Sequence, residues 1–129
     1  MSEHDEQKAL FEWAERMIVQ GRIPELVNMF AIPNGAWFKN KAIAVKMKQE
    51  GLKKGVPDIF LAVPSGDYQG LFIEMKLGEN GQTKEQKEWS SRLREMGYKV
   101  DVYKSWVGAI AGILAYLDKP RDSFSEFFE

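Results

Sequence analysis

The chain has no cysteine. That excludes disulfides, thiolate nucleophiles and zinc ribbons together, and it suits a reducing compartment. Its one histidine, His4, cannot build a histidine-rich metal centre. No stretch approaches eighteen consecutive apolar residues, so no membrane span is expected. The start, Met1-Ser2-Glu3-His4-Asp5-Glu6, has neither the basic opening nor the apolar centre of a signal peptide. A cytoplasmic protein without a membrane partner is the expectation. Net charge is nearly absent too, at −1.

What is present is the composition of a folded globule. At 129 residues, 44% hydrophobic and 12% aromatic, the chain suffices for one domain, 1–129, with one full core. The near-zero charge hides a segregation. Residues 1–15 carry five acids and one lysine, whereas 39–54 carry six lysines (Lys39, Lys41, Lys46, Lys48, Lys53, Lys54) against one acid, Glu50. A positive face of this kind suits a phosphate backbone, although a lysine-rich helix can also be a plain solvated surface.

Helical and extended patterns alternate along the chain, with no repeat or low-complexity segment, which reads as an α/β (α+β) domain. A helix over about 3–20 carries Leu10, Ala14 and Met17 on one face, with Trp13 and Ile18 beside them. Extending that face toward the N-terminus reaches Gln7 and then Glu3, with Glu6 on the other flank. An acid there is either a capping residue or a group aimed at a site. The segment 25–32 reads as a short strand ending at the Pro33-Asn34-Gly35 turn. A helix over 40–50 follows, with Ile43 and Met47 as its inner face and Ala44 alongside. Strands over 59–63 and 70–76, joined by Pro64-Ser65-Gly66-Asp67, should pair antiparallel. Thr83-Lys84-Glu85-Gln86 satisfies the capping-box pattern of a helix running through Trp89, Leu93 and Met96. A strand over 98–103 and a helix over 105–117 complete the core. The small residues Ala109, Ala111, Gly112 and Ala115 suit close packing against a sheet or a second subunit. In the tail, 118–129, Phe124, Phe127 and Phe128 are apolar enough to dock on the body or on a partner.

The chemistry concentrates at Gly55-Val56-Pro57-Asp58 and, sixteen residues after Asp58, at Glu74-Met75-Lys76. An antiparallel pair would set Asp58 beside Glu74 and Lys76. Side-chain alternation puts Glu74 and Lys76 on one face and turns Met75 into the core, leaving its carbonyl available. Two carboxylates and a carbonyl suit a hard cation, which takes oxygen ligands and keeps waters or a substrate phosphate. Such a cation activates water and neutralises charge at phosphorus, while a lysine orients the water or stabilises that charge. The plainer reading is a turn before a strand at Pro57-Asp58 and solvent-facing side chains at Glu74 and Lys76. Gln86 either completes its capping box or has a polar role beside the cation.

In this order, a helix with Glu, a lysine-rich helix, Gly55-Val56-Pro57-Asp58, Ile73-Glu74-Met75-Lys76, Gln86 with Trp89, then Gly97-Tyr98-Lys99-Val100, the chain resembles the VRR-NUC (virus-type replication-repair nuclease) domain of the PD-(D/E)xK superfamily, over about Glu3 to Leu117. The resemblance implies a restriction-endonuclease-like core, a mixed central β-sheet flanked by helices. It also implies a Mg²⁺- or Mn²⁺-dependent DNA endonuclease, without organic cofactor, of a stand-alone phage or prophage type often acting on branched DNA. Asp58 and Glu74 would then be metal ligands with the Met75 carbonyl, Lys76 the catalytic lysine and Gln86 the polar residue of the following helix. The family's helix glutamate best matches Glu3, with Glu6 as the alternative. Asn34 and the six lysines are candidates for gripping the DNA backbone. Symmetric cutting of a four-way junction would require a twofold homodimer, for which the helix 105–117 and the tail phenylalanines offer interface material. The competing expectations are a catalytically silent nucleic-acid-binding module and a nuclease subunit active only with a helicase or other partner.

Overall fold

The computed structural model describes residues 1–33 and 40–128. Helix α1 (Glu3–Val19) begins at a reciprocal cap. Ser2 Oγ accepts from the Asp5 N–H at 3.1 Å, and Asp5 Oδ2 accepts from the Ser2 N–H at 3.0 Å. Leu10, Trp13, Ala14 and Met17 form its buried stripe, with the carboxylic acid Glu6 at the head. The expected strand over 25–32 is corrected in its first half. Pro24 opens a 3₁₀ turn, Pro24–Asn28, because its fixed φ suits a helix start, and the turn drops Leu26 into the core. Strand β1 is only Met29–Ala31.

Helix α2 (Lys41–Gln49) starts at Asn40, whose side-chain oxygen accepts from the Ala42 N–H at 2.8 Å. Its expected inner face does not exist as core. No residue of α2 is buried, and Ile43 is 49% exposed. The helix walls a cleft instead of completing the core. Strands β2 (Ile59–Leu61) and β3 (Leu71–Met75) pair antiparallel with Ile59 opposite Ile73, and the link between them closes through a Ser65–Tyr68 bridge. Helix α3 (Lys84–Glu95) then crosses over so that β4 (Lys99–Tyr103) joins β3 in parallel, as a parallel pair requires. The sheet order is β1-β2-β3-β4, a mixed sheet.

One face of the sheet presents Met29, Ile59, Leu61, Leu71, Ile73 and Met75 to the core. Helix α4 (Trp106–Tyr116) packs there beside α1, burying Ala109, Ile110, Ile113 and Leu114. Gly112 is required at this contact, since a Cβ would overlap the Tyr103 hydroxyl. The other face carries a cross-strand aromatic row, Phe30 opposite Phe60 opposite Phe72, with the Phe60 and Phe72 rings stacked at 4.3 Å. By alternation Asp58 and Glu74 lie on this second face. The register of α3 also differs from expectation. Ser90 is its fully buried residue while Met96 is 61% exposed, and Trp89 is covered by the Arg92 guanidinium 4.4 Å above its ring.

The tail docks on the protein's own body. Phe124 is buried, Phe127 meets Trp13 edge-on at 6.3 Å, and Arg22 clamps the last 3₁₀ segment (Arg121–Phe127) through the Ser123 carbonyl and Glu126. Among the described residues, no helix is long and apolar enough to cross a membrane.

Gly55 takes φ +93°, and a Cβ there would stand 2.6 Å from the Glu85 backbone at the start of α3. This contact seats the segment leading to Asp58 against α3. Gly55→Ala incurs both backbone strain and overlap and is expected to lower stability by about 2–5 kcal/mol, measured by urea unfolding.

Candidate active site

The β2–β3 register brings the two sequence-selected acids together. With Ile59 opposite Ile73, the residue before β2 meets the end of β3, and Asp58 Oδ2 accepts a hydrogen bond from the Met75 N–H at 2.9 Å. The Met75 side chain is 2% exposed and belongs to the core. What it offers on the other side is main chain. In an extended strand a residue's N–H and C=O project to the same edge, so the Met75 carbonyl also faces the Asp58 side. Lys76 continues the parallel pairing, its N–H donating to the Tyr103 carbonyl at 2.9 Å.

Glu74 sits on the same face as Lys76 but fully buried. Its Oε2 accepts from Gln82 Nε2 at 3.1 Å, whereas Oε1 is buried with no partner. Burial pushes the Glu74 carboxyl above the ordinary carboxylate range. The Gln82 hydrogen bond opposes this, the Asp58 charge adds to it, Lys76 opposes it and Glu3 adds to it. Four charged groups, Glu3 of α1, Asp58 just before β2, Glu74 of β3 and Lys76 just after it, therefore share one electrostatic neighbourhood.

A cleft of about 440 Å³ opens over this corner. Asp58, Met75 and Lys76 line its floor, Glu3 comes in from the first turn of α1, and Thr83 and Gln86 come from the start of α3. Ala44 and Lys48 of α2, with Leu52 and Lys54 beyond it, form a further wall. Glu3 is free of capping duty, because Ser2 and Asp5 make the cap between them. Glu6, the alternative, is buried in the helix stripe and does not line the cleft. Gln86 completes its capping box and also faces the cleft. Its Oε1 accepts from the Thr83 N–H at 2.8 Å, closing the capping box, and the residue lines the cleft.

Of the candidate backbone-gripping residues, Lys48 and Lys54 reach the cleft, Lys54 also standing 3.9 Å from Glu85. Lys41, Lys46 and Lys53 are exposed but do not line it. Asn34 and Lys39 lie outside the described residues. Two residues of the site carry no signal in the sequence motifs: Gln82, and Ser90, whose Oγ accepts from the same Gln82 Nε2 at 3.0 Å. Gln82 precedes a cap and Ser90 is a lone hydroxyl on a helix. No spacing rule connects either to residue 74.

Among the described residues, no three His, Cys, Asp or Glu side chains cluster into a ready-made metal cage. The donors present nonetheless fit a hard divalent cation. Mg²⁺ is commonly held by one or two carboxylates and completes its shell with waters and substrate phosphate. Asp58, the orphaned Glu74 Oε1 and the Met75 carbonyl supply oxygen ligands of that kind.

Comparison with known proteins identifies the family. The VRR-NUC domain family matches residues 3–106. A solved structure of a "VRR_NUC domain protein" superposes with a TM-score of 0.76 at 30% identity, covering 92% of this chain and 89% of its own. No curated protein matches the chain. With the family matching from Glu3 past β4 and a neighbour of the same family superposing over most of both chains, the conclusion is direct: the chain belongs to the VRR-NUC family, a nuclease family of the PD-(D/E)xK type.

Proposed function

We propose that this nuclease is a Mg²⁺- or Mn²⁺-dependent DNA endonuclease selective for branched structures such as four-way junctions. The observation that carries the reading is the cleft in which Glu3, Asp58 and Lys76 converge from three elements, with Glu74 charge-coupled behind them. Asp58, Glu74 Oε1 and the Met75 carbonyl would hold the cation, and Glu3 would contribute directly or through water. The bound cation supplies Lewis-acid activation of water and charge neutralisation at the phosphate. Lys76 orients the attacking water in line with the scissile bond and stabilises the growing charge, leaving a 5′-phosphate and a 3′-hydroxyl. Gln86 is a neutral donor and acceptor at the rim. Lys48 and Lys54 attract phosphates without reading bases, which favours recognition by shape. The protein acts in the cytoplasm, that of the host where a phage encodes it.

Paired cuts in a four-way junction call for two sites related by a twofold axis, so the working form is a homodimer. The buried face of α4 and Phe124 are committed to the protein's own core, so what these elements can still offer an interface is exposed Ala115 and the half-buried Ala111, Gly112, Phe127 and Phe128. Static light scattering should return twice the chain mass.

Cleavage of four-way junctions, flaps and linear duplex should require Mg²⁺ or Mn²⁺ and fall at least about 100-fold in both Asp58→Asn and Lys76→Ala. Wild-type protein that binds these substrates tightly with metal yet never cuts them would make it a binding module. Cutting that persists in both variants would remove the proposed site.

Glu74 couples activity to stability with opposite signs. A carboxyl whose folded pKa is raised holds its proton more tightly folded than unfolded. Stability therefore falls as pH climbs from the ordinary value of 4.5 through the raised native one. Glu74→Gln removes the buried charge. Without metal it should raise the thermal midpoint at neutral pH and flatten the loss of midpoint as pH climbs above 4.5, and with metal present it should abolish cleavage. In the wild type, cleavage at limiting cation should rise with pH through the raised Glu74 value.

A further inference from the structure

Gln82 lies outside every motif visible in the sequence, yet its amide holds the buried acid of the site. The two N–H groups of a carboxamide can serve two acceptors at once. Gln82 Nε2 uses them on Glu74 Oε2 at 3.1 Å and Ser90 Oγ at 3.0 Å. The opposite amide orientation would set a carbonyl oxygen against the carboxylate, so the acceptor itself selects the nitrogen. Both ends of this bridge are anchored. Ser90 is fully buried on α3, and Gln82 directly precedes Thr83, whose reciprocal cap with Gln86 fixes the start of that helix. The loop carrying Gln82 is further tethered by Lys104 Nζ, which donates to the Asn80 carbonyl at 3.0 Å. The bridge leaves the two oxygens of Glu74 unequal, Oε2 bonded and Oε1 buried without a partner.

We infer that Gln82 is a positioning residue of the nuclease: its Ser90-anchored amide pins the Glu74 carboxylate in one orientation and leaves Oε1 as the oxygen presented to the divalent cation. This rests on the metal-dependent reading above. A bare structural role would only make a buried acid tolerable. Positioning does more, because a ligand held in a single rotamer loses less freedom on meeting its cation, and groups that orient metal ligands commonly change metal affinity by about 10–100-fold when removed.

The test is calorimetric titration of the full chain with Mn²⁺, alongside metal-free thermal melts and steady-state cleavage of a four-way junction. Gln82→Leu, of similar volume but without a donor, should bind Mn²⁺ about 10–100-fold more weakly. Its kcat should fall at subsaturating Mn²⁺ and recover in part as Mn²⁺ is raised, while KM for DNA stays near the wild-type value. Ser90→Ala keeps the bond to Glu74 but frees the amide to swing, and should weaken Mn²⁺ binding by a smaller, several-fold factor. Wild-type Mn²⁺ affinity in Gln82→Leu overturns the proposal, whatever happens to the thermal midpoint. Should Gln82→Leu not fold, unchanged affinity in Ser90→Ala overturns it. Failure of the underlying reading looks different, since the unsubstituted protein would then neither bind Mn²⁺ nor cut.

Discussion

The antiparallel register of β2 and β3 is the constraint on which the site depends. Pairing Ile59 with Ile73 makes Asp58 meet the end of β3, where its carboxylate takes the Met75 N–H. A one-residue slip of β2 would turn Ile59 and Leu61 out of the core and carry Asp58 to the wrong face, and a slip of β3 would do the same to Leu71, Ile73, Met75 and Glu74. The apolar cost of losing that core therefore protects the geometry of the proposed site. The same alternation explains how one five-residue strand serves both purposes, with Leu71, Ile73 and Met75 turned to the core and Phe72 and Glu74 on the opposite face, where Phe72 meets Tyr98 and Glu74 meets Gln82.

Glu74 is where packing and chemistry conflict. A fully buried carboxyl with an orphaned oxygen and two further acids nearby is unfavourable in the protein alone. The surroundings reduce that cost without removing it. Gln82 satisfies one oxygen and Lys76 offsets part of the charge, yet Oε1 has no partner among the protein groups. Under the proposed function, the free energy held in such an atom is what a cation would release on binding, the stability-for-function exchange common at active sites. Around this point the remaining elements are supports. Gly55 seats the approach to Asp58 against α3, and the caps at Ser2 and Thr83 aim the first turns of α1 and α3 at one cleft.

The legible parts of the sequence were those governed by local rules. Helix positions followed local signals, so α3 starts where the Thr83 capping box puts it, and α1 and α4 lie close to the ranges expected over 3–20 and 105–117. The hairpin of β2 and β3 followed from two short apolar runs around Pro64-Ser65-Gly66-Asp67. Illegible were features set by partners distant in the chain. Pro24–Asn28 could not be told from a strand by its apolar residues, because burial of Leu26 rather than periodicity selects the 3₁₀ turn. The Ile43/Met47 face of α2 has helical spacing but no core behind it. On α3, Trp89 and Met96 suggested the packed face, while Ser90 is the residue buried there, bonded to Gln82. The tail phenylalanines advertised burial but not its location, which the Arg22 clamp and Trp13 determine.

By itself the sequence determined the chemistry available: no thiol, one histidine, and a Pro-Asp and Glu-x-Lys pair at a spacing that a hairpin brings together. It determined the face of each strand residue as well, since alternation is a property of the extended backbone. Only the tertiary structure decided which acid of α1 enters the cleft. Glu3 and Glu6 are less than one turn apart, and the packing of α1 on the sheet buries one and leaves the other lining the opening. It also decided the state of Glu74, because burial, an unpartnered oxygen and the bridge from Gln82 to Ser90 arise from segments that meet only in the folded chain.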